Sequence, residues 1–125
     1  MAKRQEATGT AAASATDAPR SPCPVACALD IVGDRWTLLL VRDLRGGKRR
    51  YGDLLRSAER IPTNILAERL KRLERAGLVR RVQYSAHPPR AEYELTAVGQ
   101  GLGETLDALG HWGRQQFPVR PRRAD

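Results

Sequence analysis

The feature that most constrains this chain is a change of hydrophobic period at Gly77. Upstream of it, Leu66, Leu70 and Leu73 recur at intervals of four and three, and at about 100° of rotation per residue they fall on one side of a helix. Asn64, Glu68, Lys71 and Arg75 then lie on the opposite side. Ile61-Pro62 interrupts whatever precedes, so Thr63 is expected as an N-cap or first-turn residue, with Pro62 at the first helical position as the alternative. The helix is expected to run to about Ala76 and to be closed by Gly77. Downstream, Val82 and Tyr84 alternate with polar neighbours, and Ala91, Tyr93 and Leu95 do so again after the turn residues Ser85 to Arg90. This predicts a β-hairpin with a long tip, Ala86-His87-Pro88-Pro89-Arg90, whose prolines stand outside the ladder. An amphipathic helix feeding a single hairpin has to bury its apolar face against other helices, which makes the fold class α+β, mainly α.

The other elements follow the same reasoning. Pro24, after Ser21 and Cys23, suits a first helical turn, and Val25, Leu29 and Val32 share a face until Gly33. Asp34 is expected to cap a second helix in which Trp36, Leu39, Leu40 and Leu44 share a face that Leu38 and Val41 widen. Gly46-Gly47 breaks that helix. Tyr51, Leu54 and Leu55 make a short third one inside a stretch, Arg45 to Arg60, that carries six basic residues. After the hairpin, Thr96 caps one final helix with Val98, Leu102, Leu106, Leu109, Trp112 and Phe117. Its five glycines, each costing up to about 1 kcal/mol against alanine, make it a helix that needs a partner. Residues 1–21 lack apolar periodicity and are expected to form a flexible tail, as are residues 118–125. The folded domain is placed at 22–117.

At 125 residues there is room for one domain. The 22 Lys and Arg against 14 Asp and Glu leave a net charge of +8, which favours a polyanionic partner and makes nucleic acid the leading class. The apolar run from Thr37 to Val41 is far too short to cross a membrane, and no apolar segment follows Lys3-Arg4, so a cytoplasmic chain is expected. Cys23 and Cys27 do not make a disulfide framework, and His87 and His111 lie too far off to complete a metal site. No phosphate loop, HExxH or serine with a plausible His/Asp partner is present. We therefore expect no enzyme, no metal and no cofactor. An RNA-binding protein would expose aromatic residues for stacking, whereas Trp36, Tyr84, Tyr93, Trp112 and Phe117 are all assigned to core or interface faces.

Helix, short helix, interrupted turn, amphipathic helix and hairpin is the order of a winged helix-turn-helix, in which the recognition helix packs by one face and offers polar or cationic residues with the other. The chain closely resembles the HxlR-type winged-helix transcriptional regulators of bacteria. The resemblance is carried by Cys23-Pro24-Val25, Gly33-Asp34-Arg35-Trp36-Thr37, Arg50-Tyr51-Gly52-Asp53-Leu54, Ile61-Pro62 with Leu66, Arg69-Leu70, Leu73-Glu74, Gly77-Leu78-Val79, Pro88-Pro89-Arg90, Glu92-Tyr93, Leu95-Thr96 and Gly99. Each is weak alone; the ordered set, from Cys23 to Gly99, is specific.

The resemblance implies a homodimer joined through first and last helices, with Val25, Leu29, Leu102, Leu106, Leu109 and Trp112 at the interface. It implies a regulator, read as a repressor, that binds an inverted repeat in double-stranded DNA. Thr63, Asn64, Ala67, Glu68 and Lys71 are placed toward the major groove, Arg69 on the flank, Arg49 and Arg50 near the backbone, and Arg90 at the wing. Arg69 could instead brace the fold through an ion pair, and Glu68 could pair with Arg72 rather than read cytosine. Cys23 aligns with a cysteine that some members use to sense oxidants or electrophiles, and a helix N-terminus favours the thiolate. Sensing through Cys23, or by a small-molecule effector in a dimer-interface pocket, is therefore one alternative reading. A non-specific basic nucleic-acid-binding protein is the other.

Overall fold

The computed structural model describes residues 20–47 and 49–117; the expected tails, apart from Arg20 and Ser21, lie outside them. The elements are α1 (Pro24–Val32), α2 (Thr37–Arg45), α3 (Tyr51–Leu55), α4 (Thr63–Arg75), β1 (Val79–Ala86), β2 (Pro89–Leu95), α5 (Ala97–Gln100) and α6 (Gly103–Gln116). The strands form one antiparallel hairpin. This is the α+β, mainly helical winged helix-turn-helix expected from the sequence.

The core is built where the periodicities converge. Leu66, Leu70 and Leu73 of α4 are buried with Leu40 and Val41 of α2, Leu54 of α3, and Leu95 from the root of the hairpin. Truncating one such leucine to alanine costs about 2–5 kcal/mol, a large fraction of a small domain's stability.

Gly77 makes the change of period possible. It adopts φ +81°, its N–H donates to Glu74 O at 3.1 Å, and the Leu78 N–H donates to Leu73 O at 2.9 Å. This pair of bonds satisfies the last carbonyls of α4 and turns the chain directly into β1. Leu78 and Val79 consequently enter the core. Thr96 then ties the far side of the hairpin to the same junction: its N–H donates to Leu78 O at 3.0 Å and its hydroxyl to Gly77 O at 2.6 Å.

Three details depart from the sequence reading, and one open boundary is decided. Helix α2 begins at Thr37, so Asp34 caps from outside the helix, accepting from the N–H groups of Trp36 at 3.0 Å and Thr37 at 3.2 Å. At α4 the first-turn reading of Thr63 holds: Pro62 is the residue preceding the helix and Thr63 its first residue, with no side-chain cap. The hairpin tip is tighter than expected: Ala86 pairs with Pro89, leaving only His87 and a cis Pro88 as the turn. Pro89 is accommodated because the end of a strand does not require its missing N–H. The expected single last helix is two, interrupted at Gly101-Leu102 in the glycine-rich stretch.

That interruption divides the apolar stripe. Leu102 and Leu106 pack against the chain's own core, while Leu109, Trp112 and Phe117 remain exposed. Arg45 at the end of α2 fixes the start of α6, donating to both Asp107 oxygens at 2.8 and 3.2 Å and covering Gly103.

Gly99 seats α5 on the α4–β1 junction so closely that a Cβ there would lie 2.1 Å from Leu78 O. Backbone cannot yield as a flexible side chain would. Gly99→Ala is therefore expected to lose about 1–3 kcal/mol in urea unfolding, and an unchanged midpoint would show that α5 is not docked there.

Candidate nucleic-acid interface

Helix α4 has the two faces required of a recognition helix. Opposite its buried leucines, Thr63, Asn64, Ala67, Glu68 and Lys71 are all exposed, so all five predicted groove-facing residues share one accessible surface. The helix is held at both ends of α3: the Tyr51 hydroxyl donates to Thr63 O at 3.0 Å, and Leu54 packs beneath.

Asp34 fixes the middle of α4 from the other side. Besides the Trp36 and Thr37 amides it accepts the Thr37 hydroxyl, and Arg69 Nε donates to its Oδ2 at 2.8 Å. Asp34 and Arg69 are mostly buried, at 19% and 18% side-chain exposure. Burial alone would push the Asp34 carboxyl up; the hydrogen bonds from Thr37, Arg69 and the Trp36 N–H outweigh it and hold the carboxyl well below the ordinary carboxylate range. Arg69 thus makes the structural ion pair that was one of the two roles open to it. Its second contact is Glu68, which corrects the expected Glu68–Arg72 pair. Arg72 instead reaches the Ile31 carbonyl at the end of α1, at 3.5 Å. The sequence shows a good cap in Asp34, but nothing local in it signals a partner 35 residues away.

The basic turn before α3 joins the hairpin. The Tyr93 N–H donates to Arg49 O at 2.8 Å, and Arg50 forms a β-bridge with Glu92. Both guanidinium groups remain more than half exposed while facing Glu92, at 4.0 Å from Arg49 and 3.6 Å from Arg50. Arg90 is exposed near the tip, opposite Ser85. The expectation for Tyr84 is corrected: the ladder register shifts at this residue, and the ring is 43% exposed, with the Arg50 guanidinium 4.9 Å above it. An irregularity of this kind redirects a side chain that strict alternation would have placed inward. Trp36 does pack on the core.

Two apolar surfaces lie outside this interface. Val25 and Leu29 are exposed on α1; Leu109 and Trp112 are exposed on α6, where Trp112 meets Phe117 edge to face at 5.8 Å. Leu102 and Leu106, also expected at a dimer interface, are partly buried against the chain's own core. Cys23 is exposed at the N-cap of α1, and Cys27 is partly covered, its thiol donating to Ser21 O at 3.2 Å. Among the described residues, no group of His, Cys, Asp and Glu could hold a metal ion, and no helix is long and apolar enough to cross a membrane.

A braced amphipathic helix running into a hairpin is the architecture of a winged helix-turn-helix protein. The chain belongs to the HxlR-like helix-turn-helix family, which it matches over residues 31–121. It is 44% identical over 91 residues to the HTH-type transcriptional regulator Rv3095 of Mycobacterium tuberculosis, a match covering 73% of this chain and 57% of that one. The chain thus spans little more than half the length of that relative. Among solved structures, PA1607 superposes with a TM-score of 0.72 at 36% identity, covering 85% of this chain and 72% of its own. The redox regulator HypR in its oxidised form superposes at 0.69 with 32% identity, covering 80% of this chain and all of its own.

The depressed Asp34 carboxyl fixes the sign of a pH effect. Its ionised form is favoured in the folded state, so its contribution is full at neutral pH and is lost as pH falls below the unfolded-state value, about 3.9, toward the lower folded one. Asp34→Asn is expected to cost about 2 kcal/mol at pH 7 and to converge on the wild type in strong acid. A deficit that stayed constant across the acid limb of urea unfolding would remove the charge from the explanation.

Proposed function

We propose that the protein is a homodimeric repressor that binds an inverted repeat in double-stranded DNA, with α4 in the major groove and the hairpin on the flanking backbone or minor groove. The observation that carries this reading is the single exposed face of Thr63, Asn64, Ala67, Glu68 and Lys71 on a helix braced by Asp34. Asn64 and Lys71 offer donors to base edges; Thr63 and the amides of the first turn suit a phosphate. Arg49, Arg50 and Arg90 supply the sequence-independent attraction, consistent with a net charge of +8.

Asn64→Ala is expected to weaken binding to the preferred duplex by about 1–3 kcal/mol and to relax its base preference. Arg90→Ala is expected to weaken all duplexes alike and to lower the salt slope by about one. Loss of affinity without change of preference in Asn64→Ala would take this residue out of the base-reading set.

For the dimer, the outward Leu109 and Trp112 are the supporting observation, together with Val25 and Leu29. Leu109→Glu is expected to sediment as a folded monomer with much weaker operator affinity. A variant that stayed dimeric would remove α6 from the contact.

A second reading, regulation by oxidants, rests on the exposed thiol of Cys23 at the start of α1, next to the exposed Val25, and on the likeness to HypR. Treatment with hydrogen peroxide is expected to change operator affinity in the wild type and not in Cys23→Ser. An equal response in both would leave Cys23 as a helix-start residue alone.

A further inference from the structure

Among the described residues, Glu92 is the carboxylate that faces both arginines of the basic turn. It stands 30% exposed on β2, opposite Val82 in the ladder and bridged through its backbone to Arg50. Its Oε1 faces Arg49 at 4.0 Å and its Oε2 faces Arg50 at 3.6 Å. The Arg50 guanidinium also lies over the exposed Tyr84 ring, at the register shift of β1. The Arg50 N–H reaches Asp53 Oδ2 at 3.4 Å, and the Arg49 carbonyl accepts from Tyr93, so the backbone of the turn is fixed as well.

Exposed ion pairs of this length contribute little to stability, so folding energy does not explain the arrangement. Its effect is on what the arginines present to solvent. Two adjacent guanidinium groups on a free turn would offer two mobile charges to any phosphate. Shared by one carboxylate, they offer about one net charge from a fixed direction, with one guanidinium additionally ordered over an aromatic face.

We infer that Glu92 is a positioning residue for DNA binding: it holds Arg49 and Arg50 in place and lowers the attraction of the basic turn for DNA of any sequence. The inference deepens the DNA-binding reading and rests on it. Specific binding, in which α4 fixes the register, keeps both aligned arginines. Random binding has no register to exploit and is weakened by the carboxylate. Glu92 thereby widens the gap between the two.

The test compares wild type, Glu92→Gln and Glu92→Asp, with thermal melting as a check that each is folded. In the free protein, the Arg50 Nε–H resonance is expected to carry a ring-current shift from Tyr84 that Tyr84→Leu abolishes and Glu92→Gln moves toward an ordinary arginine value. On a random-sequence duplex, Glu92→Gln is expected to bind about fivefold more tightly at 0.15 M salt, with a salt slope steeper by about one; Glu92→Asp, which keeps the charge, retains the wild-type slope. On a duplex selected from genomic DNA the gain is smaller, so the ratio of specific to random affinity falls. An unmoved Arg50 signal, an unchanged slope in Glu92→Gln, or an equal gain on both duplexes would overturn the inference. A wild type that prefers no duplex would defeat the operator reading instead, with the Arg50 signal and the random-duplex slope still deciding the role of Glu92.

Discussion

The arrangement of this protein depends on one carboxylate. Asp34 accepts from two backbone amides and a hydroxyl at the start of α2 and from Arg69 in the middle of α4, joining the centre of the core to the helix that carries the interface. Four donors on one mostly buried group compensate the cost of its desolvation and make it an ionised anchor at any ordinary pH. The geometry has a direct consequence for function. A recognition helix reads bases only if its register on the duplex is fixed, and a helix held by apolar contacts alone can rotate or slide more easily than one also fixed by a directional pair. Arg72, reaching from α4 to the last turn of α1, adds a second tie on the same side.

Division of labour along α4 follows from its period. Leucines at spacings of three and four fill the core, so the residues between them face solvent as a set. Arg69 falls at the edge of that set, next to the exposed face but directed toward Asp34. At the end of the helix, Gly77 sends the chain at once into the hairpin, which places the wing beside α4 without an intervening loop.

Much of this was legible in the residues because it is local. The leucine spacing, the left-handed glycine at position 77, the breaks at Gly46 and Gly47, and the alternation of Tyr93 and Leu95 each report on a few neighbouring peptide units, and each element appears where they place it. Contacts set by tertiary geometry were not legible. Nothing near Arg69 indicates Asp34, and nothing near Arg50 indicates that its backbone bridges Glu92 or that Tyr84 turns outward at a register shift. Helical spacing alone also could not separate Leu102 and Leu106, which face the chain's own core, from Leu109 and Trp112, which do not; the break at Gly101-Leu102 decides this. The family resemblance supplied the five residues expected to face the groove, and the structure brings them onto one exposed face.

The central claim is that two copies of α4 read a symmetric DNA site. The most direct measurement is to incubate the purified full chain with sheared genomic DNA of its source at physiological salt and to sequence what it retains. Enrichment of an inverted repeat whose half-sites lie about 10–10.5 base pairs apart, one turn of the double helix, is the result expected of a dimer with one recognition helix per subunit. Uniform retention that disappears as salt is raised would contradict it, leaving charge alone as the basis of binding.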